Sequence, residues 1–267
     1  MQTKFSEEDL KDFWDETGAS HSPFSDAPSS RYYFRRECWL FSRFFGRLSG
    51  KKLMKTDLWN EARTTKILAW ARMKGAEVHG FDISKKTLDE ASENMRKEGL
   101  KFNFRLGDIR KIPFRDSQFD FVYSMGTVEH TPQYQQSISE LRRVLKPGGI
   151  AIVGVPNKYP VFDPVKYFII QMLDRTGIAT YPYGYEKHFT RNEFRLALRR
   201  AGFDILEESS ILLMPFSLRA IDLFLYRRHG KLAWLSKPLL HAFEYMENKS
   251  SMLRRKGGYL WAFVVTK

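Results

Sequence analysis

The chain has 267 residues and a formal charge of +13. That length suits one elaborated α/β domain, which buries about three-quarters of its unfolded surface and needs no covalent staples. The single Cys38 excludes an internal disulfide and points to a reducing compartment.

The charge favours an anionic partner: nucleic acid, an acidic membrane surface or an anionic substrate. A basic solvated surface with no specific partner is the alternative. Met1 to Asp15 is polar and acidic, with no basic start leading into an apolar run, so no signal peptide is expected. No stretch reaches about 18 uninterrupted apolar residues, so no spanning helix is expected either. A cytoplasmic protein follows, with peripheral contact to a membrane left open.

Residues 1–30 carry little periodic hydrophobicity, and the Ser/Pro-rich run from Ser20 to Ser30 predicts a loop or mobile cap segment. From Tyr32 to Leu48 aromatics interleave with arginines, which predicts an amphipathic helix ended near Gly46 or Gly50. Strands and helices then alternate. Strands are predicted at Lys52–Thr56, Glu77–Phe81, Phe102–Leu106, Phe119–Tyr123 and Ile150–Val155. Helices are predicted at Thr64–Lys74, from the Ser84 cap to Lys97 with Gly99 after its end, and at Gln136–Leu145 before Lys146-Pro147-Gly148-Gly149. Beyond Pro156, Val161–Leu173 reads as helical, and Thr190-Arg191-Asn192-Glu193 is a capping box opening a helix that ends at Gly202. Phe203–Leu213 and Gly258–Thr266 are predicted as strands six and seven, with a helical insertion over about 215–257 between them. The rhythm predicts a doubly wound, mostly parallel sheet. It divides the chain into a cap segment, residues 1–50, and a domain, residues 51–267.

The chemistry is expected after the fourth strand, in the polar turn Ser124–Pro132 that carries Glu129 and His130. Ligands of open α/β sheets sit beyond the carboxyl ends of the strands. Asp57, Asp82 and Asp108 follow strands one, two and three, along that same edge. A carboxylate ending the second strand can accept from a ribose diol. Taken singly, each of these aspartates reads more readily as a cap of the following turn or helix than as a ligand contact.

Taken in order, Gly80-Phe81-Asp82-Ile83-Ser84, Gly107-Asp108-Ile109 with Ile112-Pro113-Phe114, Phe119-Asp120-Phe121-Val122, Val128-Glu129-His130 and Leu141 to Gly149 form a spaced series. The series resembles the class I S-adenosylmethionine-dependent methyltransferases over roughly Lys52 to Asn157, and more weakly through His188-Phe189-Thr190 to Gly202-Phe203. The resemblance implies a seven-stranded Rossmann-like sheet with a reversed last hairpin, and S-adenosylmethionine as cofactor. By the same resemblance Asp82 binds the ribose hydroxyls, Asp108 lies near the adenine amino group, Ile83 and Ile109 sandwich the base, and Met125 and Gly126 pass beside the cofactor.

The chain departs from the family at the first loop. The family places a glycine-rich turn there, whereas this chain reads Lys55-Thr56-Asp57-Leu58-Trp59-Asn60-Glu61-Ala62-Arg63, with no glycine from Lys51 to Lys74. Glycine allows close backbone approach to a ligand, and Trp59 would crowd it. Thr56, Asp57, Asn60 and Glu61 are candidate cofactor contacts in its place, and Arg63 is a candidate partner for the cofactor carboxylate. A dehydrogenase is disfavoured by the same loop, because a pyrophosphate needs the glycine turn and a free helix N-terminus.

His130 is a candidate general base toward an acceptor hydroxyl, with Glu129 orienting it or facing the sulfonium side. Tyr183, Tyr185, Glu186 and His188 precede the capping box and are candidate substrate contacts. His and carboxylate spacing forms no convincing metal set. The fourth-strand turn lacks the Asp/Asn-Pro-Pro-Tyr-like pattern of base-modifying members.

The insertion mixes Leu, Ile, Phe and Trp with cations. Residues 211–256 hold nine Lys and Arg against three acids. Such a stretch can lie on an anionic bilayer, form a lid or make a dimer face. The reading that emerges is a methyltransferase acting on a hydroxyl of a small molecule, glycan or lipid-linked intermediate. A non-catalytic binding or scaffold protein with this fold, and an RNA methyltransferase, are the alternatives.

Overall fold

The structure, a computed structural model, describes residues 11–16, 24–163, 172 and 186–267. Seven strands form one sheet in the order β3-β2-β1-β4-β5-β7-β6. They are β1 Lys52–Lys55, β2 Glu77–Asp82, β3 Asn103–Leu106, β4 Phe119–Met125, β5 Leu145–Gly154, β6 Asp204–Ile211 and β7 Leu260–Thr266. The first five run parallel, and β7 is antiparallel to both β5 and β6. The chain order reverses between β1 and β4, so the crevice at their carboxyl ends is the natural ligand position.

Strand side chains alternate faces, and the two faces build separate cores. Leu53, Phe121, Tyr123, Ile152 and Val264 join one core, whereas Met54, Val122, Val153 and Phe263 join the other. The first core is covered by α1 (Pro28–Leu40), a π-helical turn (Phe41–Phe45), α2 (Trp59–Arg63), α3 (Ile67–Met73) and α4 (Lys85–Lys97). The second is covered by α5 (Tyr134–Val144) and α6 (Arg191–Arg200). Ser84 caps α4 by accepting from Thr87 N, Gly99 follows at φ 65°, and Thr190 and Glu193 make the expected capping box of α6.

Several boundaries differ from expectation. Pro28 opens α1 inside the stretch read as a loop, because proline suits the first helical turn. Residues 11–16 are helical as well. The helix expected at Thr64–Lys74 starts only at Ile67, after Lys66 at φ 52°, and the five-residue α2 precedes it. β4 runs on to Met125 because Ser124 and Met125 still pair with Val153 and Gly154. β5 starts at Leu145, paired with Phe119, ahead of a register shift. Val161–Leu173 lies largely outside the described residues.

The insertion consists of α7 (Phe216–His229), a 3-10 segment (Gly230–Ser236), α8 (Lys237–Lys249) and α9 (Ser251–Lys256). It is tied to α1 by polar groups. Tyr32 donates to Glu247, Arg36 pairs with Glu247 at 2.8 Å, and Arg35 holds Glu244 in a two-pronged contact at 2.5 and 2.6 Å. Ser29 N donates to the buried Asp222 at 2.9 Å.

Candidate active site

A cavity opens at the carboxyl ends of β1, β2 and β4, with about 1070 Å³ of empty space including its mouth. Asp82, the last residue of β2, is buried in its wall. One carboxylate oxygen accepts from Leu58 N and the other from Ser84 N, each at 2.8 Å. Burial raises its pKa to about 7, against the pull of those two N–H donors. Each oxygen has a further lone pair, so the carboxylate retains capacity for a diol in the cavity.

The glycine-free loop is accommodated by a glycine on the neighbouring strand. A Cβ on Gly80 would lie 2.7 Å from Leu58 Cδ2. The small residue on β2 therefore makes room for the Leu58 side chain, while the Leu58 backbone turns its N–H to Asp82. Lys55 fixes the same turn from below. It is completely buried, donates to the Asp57 carbonyl and lies 3.1 Å from Asp57 Oδ1. Burial alone would lower its pKa, but Asp57, Glu61 and Glu37 outweigh that and raise it. Thr56 and Thr127 join through their hydroxyls at 2.9 Å, and Thr127 donates to Asp57 at 3.2 Å.

The structure brings Thr56, Asp57 and Asn60 to the cavity wall, together with Asp82, Ile83, Asp108, Ile109, Met125, Gly126 and His130. Trp59 also lines it, as part of the wall. Asp108 is braced by Arg110, whose Nε lies 3.0 Å from both carboxylate oxygens. Gly126 adopts φ 78°, which favours glycine.

Two expected contacts are not in the wall. Glu61 turns inward and accepts from Leu68 N at 3.2 Å, and burial raises its pKa to about 8. Arg63 pairs with Glu90 on α4, and its guanidinium lies 5.3 Å from the Trp59 ring. The helical turn of α2 directs both residues away from the cavity. Trp14, which was not anticipated, covers the cavity. Its ring meets His130 edge-on at 4.9 Å, while Asp15 accepts from Ser84 Oγ at 2.5 Å. Phe81 of the Gly80–Ser84 motif also lines the wall, as do Tyr33 of α1 and Thr87, which no local pattern marked.

Glu129, Glu186 and His188 lie outside that wall as a buried group. The Glu129 pKa is pushed well above the usual carboxylate range, by burial first and by Glu186 second. Its Oε2 has no hydrogen-bond partner among the described residues. His188 Nε2 and Glu186 Oε1 are 2.5 Å apart, and Lys187 N donates to the Glu129 carbonyl at 3.0 Å. Tyr183 and Tyr185 lie outside the described residues. Among the described residues no group of His, Cys, Asp and Glu is arranged to hold a metal.

The donor set fits a nucleoside with an organic cation better than a dinucleotide. A buried carboxylate and an aliphatic slot are present, while the Leu58 N–H that a phosphate would need is already bound to Asp82.

The doubly wound sheet with its reversed final hairpin is the Rossmann-like arrangement found in solved methyltransferase structures. Residues 61–153 match the family described as "Methyltransferase domain". Over these residues the chain is similar to the class I S-adenosylmethionine-dependent methyltransferases. The chain is 43% identical over 81 residues to sterol 24-C-methyltransferase ERG6B of Gibberella zeae, covering 30% of this chain and 21% of the relative. It is 27% identical over 157 residues to the ubiquinone biosynthesis O-methyltransferase of Cereibacter sphaeroides, covering 56% and 62%. The chain thus spans less than two thirds of the length of these curated relatives. A putative sarcosine dimethylglycine methyltransferase from Galdieria sulphuraria superposes with a TM-score of 0.64 at 18% identity, covering 97% of this chain and 98% of that one, a likeness of fold.

Proposed function

We propose that the protein transfers a methyl group from S-adenosylmethionine to a hydroxyl of a small molecule, glycan or lipid-linked intermediate. The observation that carries this reading is the buried Asp82 carboxylate, held between two backbone N–H groups at the wall of an apolar cavity. When bound, the cofactor supplies an electrophilic methyl on sulfur, open to in-line displacement.

The chain's residues hold and align. Asp82 accepts from the ribose hydroxyls, Asp108 from the adenine amino group, and Ile83 and Ile109 flank the base. Thr56, Asp57, Asn60, Met125 and Gly126 line the remainder. His130 takes the acceptor's hydroxyl proton as the new C–O bond forms, with its ring held by Trp14. Burial raises the Glu129 pKa well above the usual carboxylate range, which favours its neutral form, and Glu129 supports the turn. Glu186 and His188 stand on the acceptor side. Alignment and exclusion of water supply most of the acceleration.

In this reading residues 1–50 are a cap on the domain 51–267, and its insertion covers the acceptor entrance. The protein works in the cytoplasm, in part at a membrane surface. The lone Cys38 agrees with a reducing compartment, and no described helix is long and apolar enough to cross a membrane.

The test is incubation with methyl-labelled S-adenosylmethionine and fractionated cell extract. Label in an alkali-stable small-molecule or lipid product, with matching release of S-adenosylhomocysteine, is the expected result. Label confined to RNA would replace the acceptor class, and the absence of both turnover and cofactor binding would overturn the proposal.

A further inference from the structure

The insertion carries an unbalanced surface. Half of the exposed large apolar side chains among the described residues lie on it. They include Phe224 (55% exposed), Trp234 (62%), Leu235 (52%) and Tyr245 (63%). Single exposed apolar side chains are ordinary, but a concentration of them on one element marks an interaction surface.

The charges on the same elements are one-sided. All three acids between residues 211 and 256 are already engaged. Asp222 is buried under Ser29 N and Ser236 Oγ, Glu247 is buried under Tyr32 and Arg36, and Glu244 holds Arg35. The cations point outward: Arg227, Arg228, Lys237, Lys249, Arg255 and Lys256 are all exposed.

Apolar and cationic groups are arranged together. On α7, Ile221, Phe224 and Arg228 share one helical stripe, with the Arg228 guanidinium 5.4 Å from the Phe224 ring. On α8, His241, Tyr245 and Lys249 do the same, with the Lys249 ammonium 5.8 Å from the Tyr245 ring. Between them, the 3-10 segment Gly230–Ser236 presents Trp234 and Leu235. A groove opens beside that segment, lined by Arg31, Arg35, Tyr226, Trp234, Lys237 and His241, with Asp26 as its one acid, paired with Arg31 at 3.1 Å.

An apolar surface rimmed by cations suits the headgroup–acyl boundary of an acidic membrane. Trp is favoured there, and long cationic side chains reach phosphates while their stems remain on apolar ground. A second copy of the chain fits poorly, because a two-fold contact would set this cationic surface against itself. Nucleic acid would engage the cations but leave the exposed Leu and Phe unused.

We infer that the corner of α7, the 3-10 segment and α8 docks the protein on a bilayer of anionic phospholipid, with Trp234 and Leu235 entering the interface and Arg228 and Lys237 meeting lipid phosphates. The inference deepens the peripheral-membrane part of the proposed function, and it is read by binding alone. α1 connects the docked surface to the chemistry: Tyr33 lines the cavity, while Tyr32 and Arg36 hold Glu247 of α8. A lipid-linked acceptor would be delivered beside the cavity.

The test is sedimentation of the full chain with vesicles of phosphatidylcholine alone and of phosphatidylcholine mixed with phosphatidylglycerol. Three variants accompany it: Trp234→Ala, Lys237→Glu, and Arg228→Glu with Lys237→Glu. Binding is expected only with the anionic vesicles and is expected to weaken as salt is raised. Each cation lost is expected to reduce it by about fivefold, and a reversed charge by more. Trp234→Ala is expected to weaken it about tenfold, with cofactor binding and melting temperature unchanged. Equal binding to both vesicles, no binding, or binding that survives all three variants would overturn the inference. So would a concentration-dependent dimer that Trp234→Ala dissociates in the absence of any vesicle binding. A chain that binds vesicles but shows no methyl transfer would leave the docking surface standing and remove the catalytic proposal.

Discussion

Replacing Lys55 by Met tests how the glycine-free loop is held. Lys55 is completely buried and faces Asp57 at 3.1 Å, and Glu37 and Glu61 are enclosed around it. Burial lifts Glu37 to about 7 and Glu61 to about 8, from a usual 4.5, with Lys55 among the groups that pull each back. Methionine retains much of the side-chain volume and removes the charge. Leaving a buried partner charged costs roughly 3–5 kcal/mol, but these partners can take up protons, so the cost depends on pH. Both glutamates have folded values above their unfolded ones. The native state therefore binds more protons between about pH 4.5 and 8, and its stability falls as pH rises through that window. Removing Lys55 raises both values further and carries the fall to higher pH. At pH 6 both glutamates are largely protonated, and the loss is confined to the partly exposed Asp57, about 1 kcal/mol. At pH 8.5 it grows to about 3 kcal/mol, since a glutamate without its counter-charge pays about 1.4 kcal/mol for each unit of further shift. For a chain of this size that is a fall in melting temperature of about 3 °C at pH 6 and about 9 °C at pH 8.5. Scanning calorimetry at both pH values measures it. A deficit that is absent, or that is the same at both pH values, would refute the reasoning.

The Asp82 carboxylate accepts hydroxyl donors best when ionised, and its pKa is raised to about 7 by burial. S-adenosylhomocysteine affinity is therefore expected to fall by up to tenfold per unit as pH drops below 7, and Asp82→Asn is expected to flatten that dependence in calorimetric titrations. His130→Gln is expected to lower kcat by about 10²–10⁴-fold with cofactor affinity little changed; a wild-type pH–rate profile in that variant would place the proton acceptor elsewhere. Trp14→Ala removes the ring that covers His130. It is expected to speed S-adenosylhomocysteine release by about five- to tenfold in stopped-flow fluorescence, and an unchanged rate would show that Trp14 contributes nothing to the closed cavity.

Features carried by local pattern were legible in the sequence. The alternation of apolar runs and capped helices indicated the sheet, and strand ends pointed to Asp82, Asp108 and the turn at His130. The Ser84 cap and the Thr190 capping box are short-range chemistry and read directly. What escaped depends on contacts across the fold. Leu58 fits because Gly80, on another strand, leaves space for it, and nothing near Leu58 marks that. α2 spans five residues, too short for a periodic stripe to show. Its helical turn sends Arg63 to Glu90 and Glu61 to Leu68 N, whereas an extended loop would have placed both near the ligand. Trp14 reaches the cavity because Asp15 finds Ser84, 69 positions away in the chain. Such pairings leave no trace in spacing.

The central claim is that this cavity, bounded by a first loop without glycine, holds S-adenosylmethionine through Asp82. Its most direct test is calorimetric titration of the full chain with S-adenosylmethionine and S-adenosylhomocysteine, repeated with Asp82→Ala. The account predicts one site per chain with affinity on the order of micromolar, weakened by about 100-fold or more in the variant, since hydrogen bonds to a charged group are worth roughly 1.5–3 kcal/mol each. Failure of the folded wild-type protein to bind either ligand, or binding unchanged in folded Asp82→Ala, would contradict it.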